Sequence, residues 1–78
     1  MREKSLRLVV TFRTTTAAMA MEKYCLEKAV AGRLIPVPRE ISAGCGMAWS
    51  SPPEAREAVH DALSRAGISA EAFYEIVI

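Results

Sequence analysis

Hydrophobic and polar positions along the chain follow two different periods, and the changes between them mark the predicted elements. Residues 5–12, SLRLVVTF, alternate with period two, which is typical of a strand with one buried face. From Thr16 the apolar residues recur at steps of three and four, which indicates an amphipathic helix that we expect to end at Gly32. Residues 33–38, RLIPVP, predict a short strand that Pro36 confines to a sheet edge.

The second half of the chain predicts another strand and another helix. Residues 46–50, GMAWS, indicate a brief third strand. The following SPPE predicts the start of a helix, with Ser51 as its N-cap and Glu54 completing a capping box. Gly67 and the apolar residue after it predict a glycine cap at the end of this helix.

The last segment completes the predicted fold. Residues 72–78, AFYEIVI, alternate as a terminal strand. The order β-α-β-β-α-β predicts an α+β class, ferredoxin-like sandwich formed by residues 1–78 as a single domain. Its antiparallel sheet has the strand order 4-1-3-2, with two helices on one face. The turn after the first strand and the connection between the second and third then share one end of the sheet, so we expect Thr14 to Thr16 to neighbour Cys45.

Composition and charge narrow the partners that this domain is expected to have. The chain has 78 residues, of which 51% are hydrophobic and 24% charged, with a net charge of +1. This balance predicts no nucleic-acid partner and no membrane partner. No apolar run approaches a transmembrane length and no secretory cleavage site is evident, which predicts a cytoplasmic protein. The two cysteines lack the spacing of a zinc site, so no metal is predicted.

The GCG triplet is the sharpest chemical feature of the sequence. Cys45 stands between Gly44 and Gly46, where neither neighbour has a Cβ and another molecule can approach closely. The reactive thiolate would be favoured by the N-terminus of the first helix, by the glycine N–H groups and by Arg13 and Arg39. The alternative is a tight turn that merely includes a cysteine.

Other candidate residues carry weaker signals. Cys25 lies on the apolar face of the first helix and is predicted to be an inert core residue. The RTTT run at residues 13–16 suits either helix capping or anion binding. His60 is predicted to be solvated and Trp49 to anchor the core. The predicted site consists of the Cys45 thiol with six binding residues, Thr14, Thr15, Thr16, Arg39, Gly44 and Gly46.

A surface for association is predicted on the sheet face opposite the helices. We expect this face to carry Val9, Phe73 and Val77 and to remain uncovered in the isolated domain. A homodimer or another protein partner would bury it.

Three segments, TFRTTTAAMAMEKYC, GRLIPVPREISAGCGMAW and SPPEAREAV, resemble the small bacterial family of selenium/sulfur carrier-like proteins. The resemblance covers nearly the whole chain, and the family's cysteine matches Cys45. It implies a carrier that holds sulfur or selenium on Cys45 as a persulfide or perselenide, with no cofactor other than that covalent atom. Proteins that donate and accept the sulfur or selenium are the implied partners.

Two other functions remain open at this point. The domain could be a non-catalytic interaction or dimerisation module in which Cys45 is a turn residue. It could also be a soft-metal chaperone, although a second sulfur ligand at suitable spacing is missing. One thiol without a resolving partner favours a non-enzymatic carrier over an enzyme.

Overall fold

The elements follow one another in the predicted order. A computed structural model describes residues 4–41 and 46–78. Its strands and helices are β1 (Leu6–Thr11), α1 (Thr15–Lys28), β2 (Arg33–Pro36), β3 (Met47–Ser51), a 3₁₀ turn (Pro53–Ala55), α2 (Arg56–Ala66) and β4 (Ala72–Val77). Within these described residues, neither helix has the length and apolar character needed to cross a membrane.

The four strands form one antiparallel sheet in the order β2-β3-β1-β4. Read from the opposite edge, the same order is β4-β1-β3-β2. The α+β class, with a four-stranded antiparallel sheet and two helices, is thereby confirmed. Pro36 lies in β2 at a sheet edge, as predicted. Proline has no N–H to donate, so in a central strand it would leave one hydrogen bond of the ladder unformed.

Both helices pack on one face of the sheet. Leu8 and Val10 point to this side from β1, and Trp49 joins them from β3, opposite Val10 in the register. The buried cluster that results contains Leu8, Val10, Phe12, Ala18, Met21, Cys25, Trp49, Val59, Ala62 and Leu63. Trp49 anchors this core, as predicted, and is 1% exposed.

The face opposite the helices has a smaller core of its own. Val9 is fully buried there, together with Ala48 and Ile41, and partly buried apolar residues surround them: Ile35, Val37, Tyr74, Ile76 and Ile78. Because Val9 is already covered, it cannot contribute to an association surface.

The predicted placement of Phe73 and Val77 on that face is wrong. Phe73 pairs with Val10 in the register and Val77 pairs with Leu6, which puts both on the helix side of β4. The ring of Phe73 stacks on exposed His60 of α2, with ring centroids 4.4 Å apart. The alternation of β4 was predicted correctly, but its two faces were exchanged.

The predicted start of the second helix is also wrong. Ser51 lies inside β3 and is fully buried. Its hydroxyl donates to the carbonyl of Ala31 at 2.7 Å and accepts the indole N–H of Trp49 at 2.7 Å. The chain enters α2 through the 3₁₀ turn, and Ala55 occupies the N-cap position without a side-chain hydrogen bond. The capping box with Glu54 therefore does not form.

The two predicted glycine caps have different outcomes. Gly67 ends α2 with a φ of 69°, and the Ile68 N–H bonds back to the Leu63 carbonyl at 2.9 Å, which confirms the cap. In contrast, α1 ends at Ala29, with a φ of 57°, three residues before Gly32. A Cβ at Gly32 would lie 2.5 Å from the Ser50 carbonyl oxygen, so glycine is needed there for close packing against β3.

Candidate functional site

The strand register brings two connections to the same end of the sheet. Thr11, the last residue of β1, pairs with Ala48 near the start of β3. Pro36, the last residue of β2, pairs with Met47. The β1–α1 connection therefore leaves the sheet at one end. The residues that flank the β2–β3 connection lie at the same end. We call this side of the sheet the loop end.

The three predicted threonines form the start of α1 at the loop end. Thr14 is the N-cap, and its hydroxyl accepts the Ala17 N–H at 3.1 Å, so the capping interpretation holds for this residue. Thr15 and Thr16 follow in the first turn with exposed side chains. This turn is fully described and contains no acidic residue, so the turn itself supplies no charge that would neutralise the positive end of the helix dipole.

Gly46 lies at the loop end with an exposed backbone and a φ of 81°. Its carbonyl accepts the Val37 N–H at 3.1 Å, which ties the start of β3 to the residue that follows β2. A Cβ at Gly46 would meet no atom of the described residues within 4 Å. Glycine is favoured here by the left-handed backbone and not by lack of space.

The residues that follow β2 fold back over the sheet. The Ile41 N–H bonds to the Pro38 carbonyl at 3.0 Å, and the Ile41 side chain is 7% exposed against Val9 and Ala48. Arg39 is exposed on the intervening turn. Sequence reasoning missed Ile41 as an anchor of this connection. The available signal was one large apolar residue within the polar stretch PREISAG.

Two of the predicted site residues, Gly44 and Cys45, lie outside the described residues, which resume at Gly46. Of the predicted set, the structure therefore places Thr14, Thr15 and Thr16 together, with Gly46 at the same end of the sheet. Arg39 lies on the connection that leads from β2 toward the GCG triplet.

Cys25 is placed where the sequence predicts it. It is fully buried in the core between the helices and the sheet. Burial raises the pKa of the Cys25 thiol to about 11, because a thiolate would lose its hydration there. At neutral pH this sulfur is protonated and inaccessible, and both properties suppress its chemistry.

The described residues contain no group of three His, Cys, Asp or Glu side chains that could hold a metal ion. Every buried side-chain nitrogen or oxygen within those residues has a hydrogen-bond partner. The polar atoms of the described core are thus satisfied by the protein itself.

Comparison with known proteins identifies the group to which the chain is related. Residues 7–75 match the model of a family described as "Putative Se/S carrier protein-like". No curated protein and no solved structure matches the chain. The match extends from β1 into β4 and includes the GCG triplet, and on this evidence the chain belongs to the Se/S carrier protein-like family.

Proposed function

We propose that this protein is a carrier that holds sulfur or selenium on Cys45 as a persulfide or perselenide. The observation that carries the proposal is the burial of Cys25. The sequence has two cysteines, and the family description calls for a residue that binds a chalcogen. Cys25 is fully buried with a raised pKa, which leaves Cys45 as the carrier.

Loading takes place by thiol–persulfide exchange. The Cys45 thiolate attacks the outer sulfur of a donor persulfide, a new S–S bond forms on Cys45, and the donor's own S–S bond breaks. The electron pair of that bond leaves with the donor thiolate, so charge and electrons balance without a further oxidant. Delivery repeats the same step with an acceptor thiolate as the nucleophile. Selenium follows the same route from a donor perselenide.

The surroundings at the loop end support an anionic sulfur. The N-terminus of α1 lies at this end without an acidic residue in its first turn. Arg13, just before α1, and Arg39 are both exposed cations. Positive potential lowers a thiol pKa and stabilises the persulfide anion. Gly46, which directly follows Cys45, leaves space for an approaching partner.

A carrier of this kind works between other proteins. With one reactive thiol and no resolving cysteine, it stores one atom and depends on separate donor and acceptor proteins. The cytoplasm, where thiols stay reduced, suits this role. We also assign the chain to the ferredoxin-like class, because the βαββαβ order and the strand order β2-β3-β1-β4 support it.

Intact-mass measurement tests the proposal. The protein is incubated with a small-molecule persulfide, or with selenide and a thiol disulfide that together form a perselenide. The native protein and Cys25→Ala are expected to gain one sulfur or selenium atom, whereas Cys45→Ser gains none. Reducing agent should remove the added mass. An unchanged mass of the native protein, or normal loading of Cys45→Ser, would contradict the proposal.

A further inference from the structure

Two arginines flank one serine in the strand register, on the sheet face opposite the helices. Arg7 of β1 donates from Nε to the Ser50 hydroxyl at 3.0 Å and from its terminal amino group to the Ser50 carbonyl at 3.4 Å. Arg33 of β2 lies directly opposite Ser50 in the register, on the same face. Both arginines also line one groove on this face.

The charge of this pair is not balanced within the described residues. The ion pairs formed there are Arg56 with Glu75 and Arg65 with Asp61. Arg7 is half-buried, and its partner is a neutral serine. Its remaining guanidinium N–H groups are free to bind another acceptor. An anion bound in the groove that both arginines line would be attracted by both positive charges.

A groove of about 690 Å³ runs beside the two arginines. Ser5 and Ser50 add polar atoms, and Ile35 and Ile78 form an apolar wall on the same face as Val9. Leu34, Pro36 and Pro38 complete the lining. This volume lies within the range of small-molecule sites, which combine an apolar wall with a few convergent polar groups.

We propose that this groove binds a small organic oxyanion, a carboxylate or a phosphate monoester, through Arg7 and Arg33. A guanidinium presents parallel N–H groups that match the paired oxygens of these anions. The hydrogen bonds to Ser50 hold the Arg7 fork in place before the ligand arrives, which reduces the entropy lost on binding. The apolar wall contacts the organic part of the ligand. Occupation of this groove requires no sulfur chemistry.

Titration of ¹⁵N-labelled protein by NMR, at constant ionic strength, tests the site. The probes are phenyl phosphate and benzoate, with benzyl alcohol as the uncharged comparison. At least one anion is expected to produce saturable shifts centred on the amides of Arg7, Arg33 and Ser50. The tighter of the two anions identifies the ligand class as phosphate or carboxylate.

Two substitutions separate a site from general charge attraction. Arg33→Gln removes an exposed side chain at the groove and is expected to weaken binding about tenfold, as for a lost charge-assisted hydrogen bond. Lys23→Gln removes the same charge from the exposed surface of α1 and should change binding less than about twofold. Equal weakening by both substitutions, equal binding of benzyl alcohol, or shifts without saturation would overturn the proposal.

Discussion

The indole N–H of Trp49 donates to the hydroxyl of Ser51 at 2.7 Å, and this bond connects the largest core side chain to the end of β3. The same hydroxyl donates to the Ala31 carbonyl, so one serine satisfies the buried indole N–H and a backbone carbonyl of the α1–β2 connection. Ser51 is therefore a core residue that joins the α1–β2 connection to the sheet, although its sequence context is typical of a helix cap.

Ser51→Ala should lower the free energy of unfolding by about 1–3 kcal/mol, because it leaves the Trp49 N–H and the Ala31 carbonyl without their partner. Ser64→Ala, at an exposed position of α2, is the control and should change stability by less than about 0.5 kcal/mol. In a Trp49→Phe background the effect of Ser51→Ala should be smaller. Additive effects in this double-mutant cycle, measured by urea unfolding, would contradict the coupling.

Gly32→Ala should be far more damaging than Gly67→Ala. A Cβ at Gly32 would lie 2.5 Å from the backbone oxygen of Ser50, and the φ of 139° is also strained for alanine. We expect a loss of at least about 3 kcal/mol from the overlap and strain together. Gly67→Ala meets open space and carries only the left-handed backbone penalty of about 1 kcal/mol. Similar unfolding free energies for the two variants would show that the close approach at Gly32 relaxes easily.

The strands were largely predictable from local patterns, and their faces were less so. Alternation in SLRLVVTF identifies β1 because one side of it meets the helices, and Pro36 marks an edge through its missing N–H. In β4 both faces carry large apolar residues, so alternation alone does not say which side meets the helices. The register of Phe73 with Val10 decides this, and register is a property of the assembled sheet.

The helix caps show the same limit of prediction from local sequence. SPPE matches a capping box, but the Ser51 hydroxyl is already bonded to the buried Trp49 and to the Ala31 carbonyl. A local motif carries no information about the distant partner Ala31. At the candidate site, Thr14 was predictable as a cap because its bond to Ala17 is local. The anchoring role of Ile41 was not, since it depends on contact with Val9 and Ala48 across the sheet.

Ile41→Ala should loosen the connection that leads to the GCG triplet. Removing this buried side chain is expected to lower stability by about 2 kcal/mol. Amide exchange should accelerate most at Ile41 and Val37, whose N–H groups bond to Pro38 and Gly46. Hydrogen exchange followed by NMR measures the amides of Ile41 and Val37, and the α2 amides serve as an internal control. Uniform acceleration throughout the protein would mean that Ile41 contributes only to global stability.

The raised pKa of Cys25 predicts a loss of stability at alkaline pH. Between pH 9.0 and about 11 the unfolded chain loses the thiol proton while the folded protein keeps it. The contribution of Cys25 is therefore fully present below pH 9.0 and declines as pH rises through this interval, by about 3 kcal/mol in total. The quantity measured is the difference in unfolding free energy between the native protein and Cys25→Ala at each pH. If the unfolding free energies of the two proteins ran parallel across this pH interval, the raised pKa of Cys25 would be contradicted.

The two cysteines should differ in reactivity in the folded state, and this difference tests the basis of the proposed carrier function. Cys25 is fully buried, and reagent reaches it only when the core opens, so its labelling at neutral pH should be at least about a hundredfold slower than that of Cys45. Cys45→Ser reports on Cys25 alone, and its labelling should accelerate steeply with urea. Cys25→Ala reports on Cys45 alone, and its labelling should depend little on urea, since opening of the core is not required. The rates are measured with a chromogenic disulfide reagent, and circular dichroism establishes that each variant is folded. If Cys25 were labelled as fast as Cys45 in folded protein, burial would not distinguish the two thiols. The assignment of the carried sulfur or selenium to Cys45 would then lose its structural support.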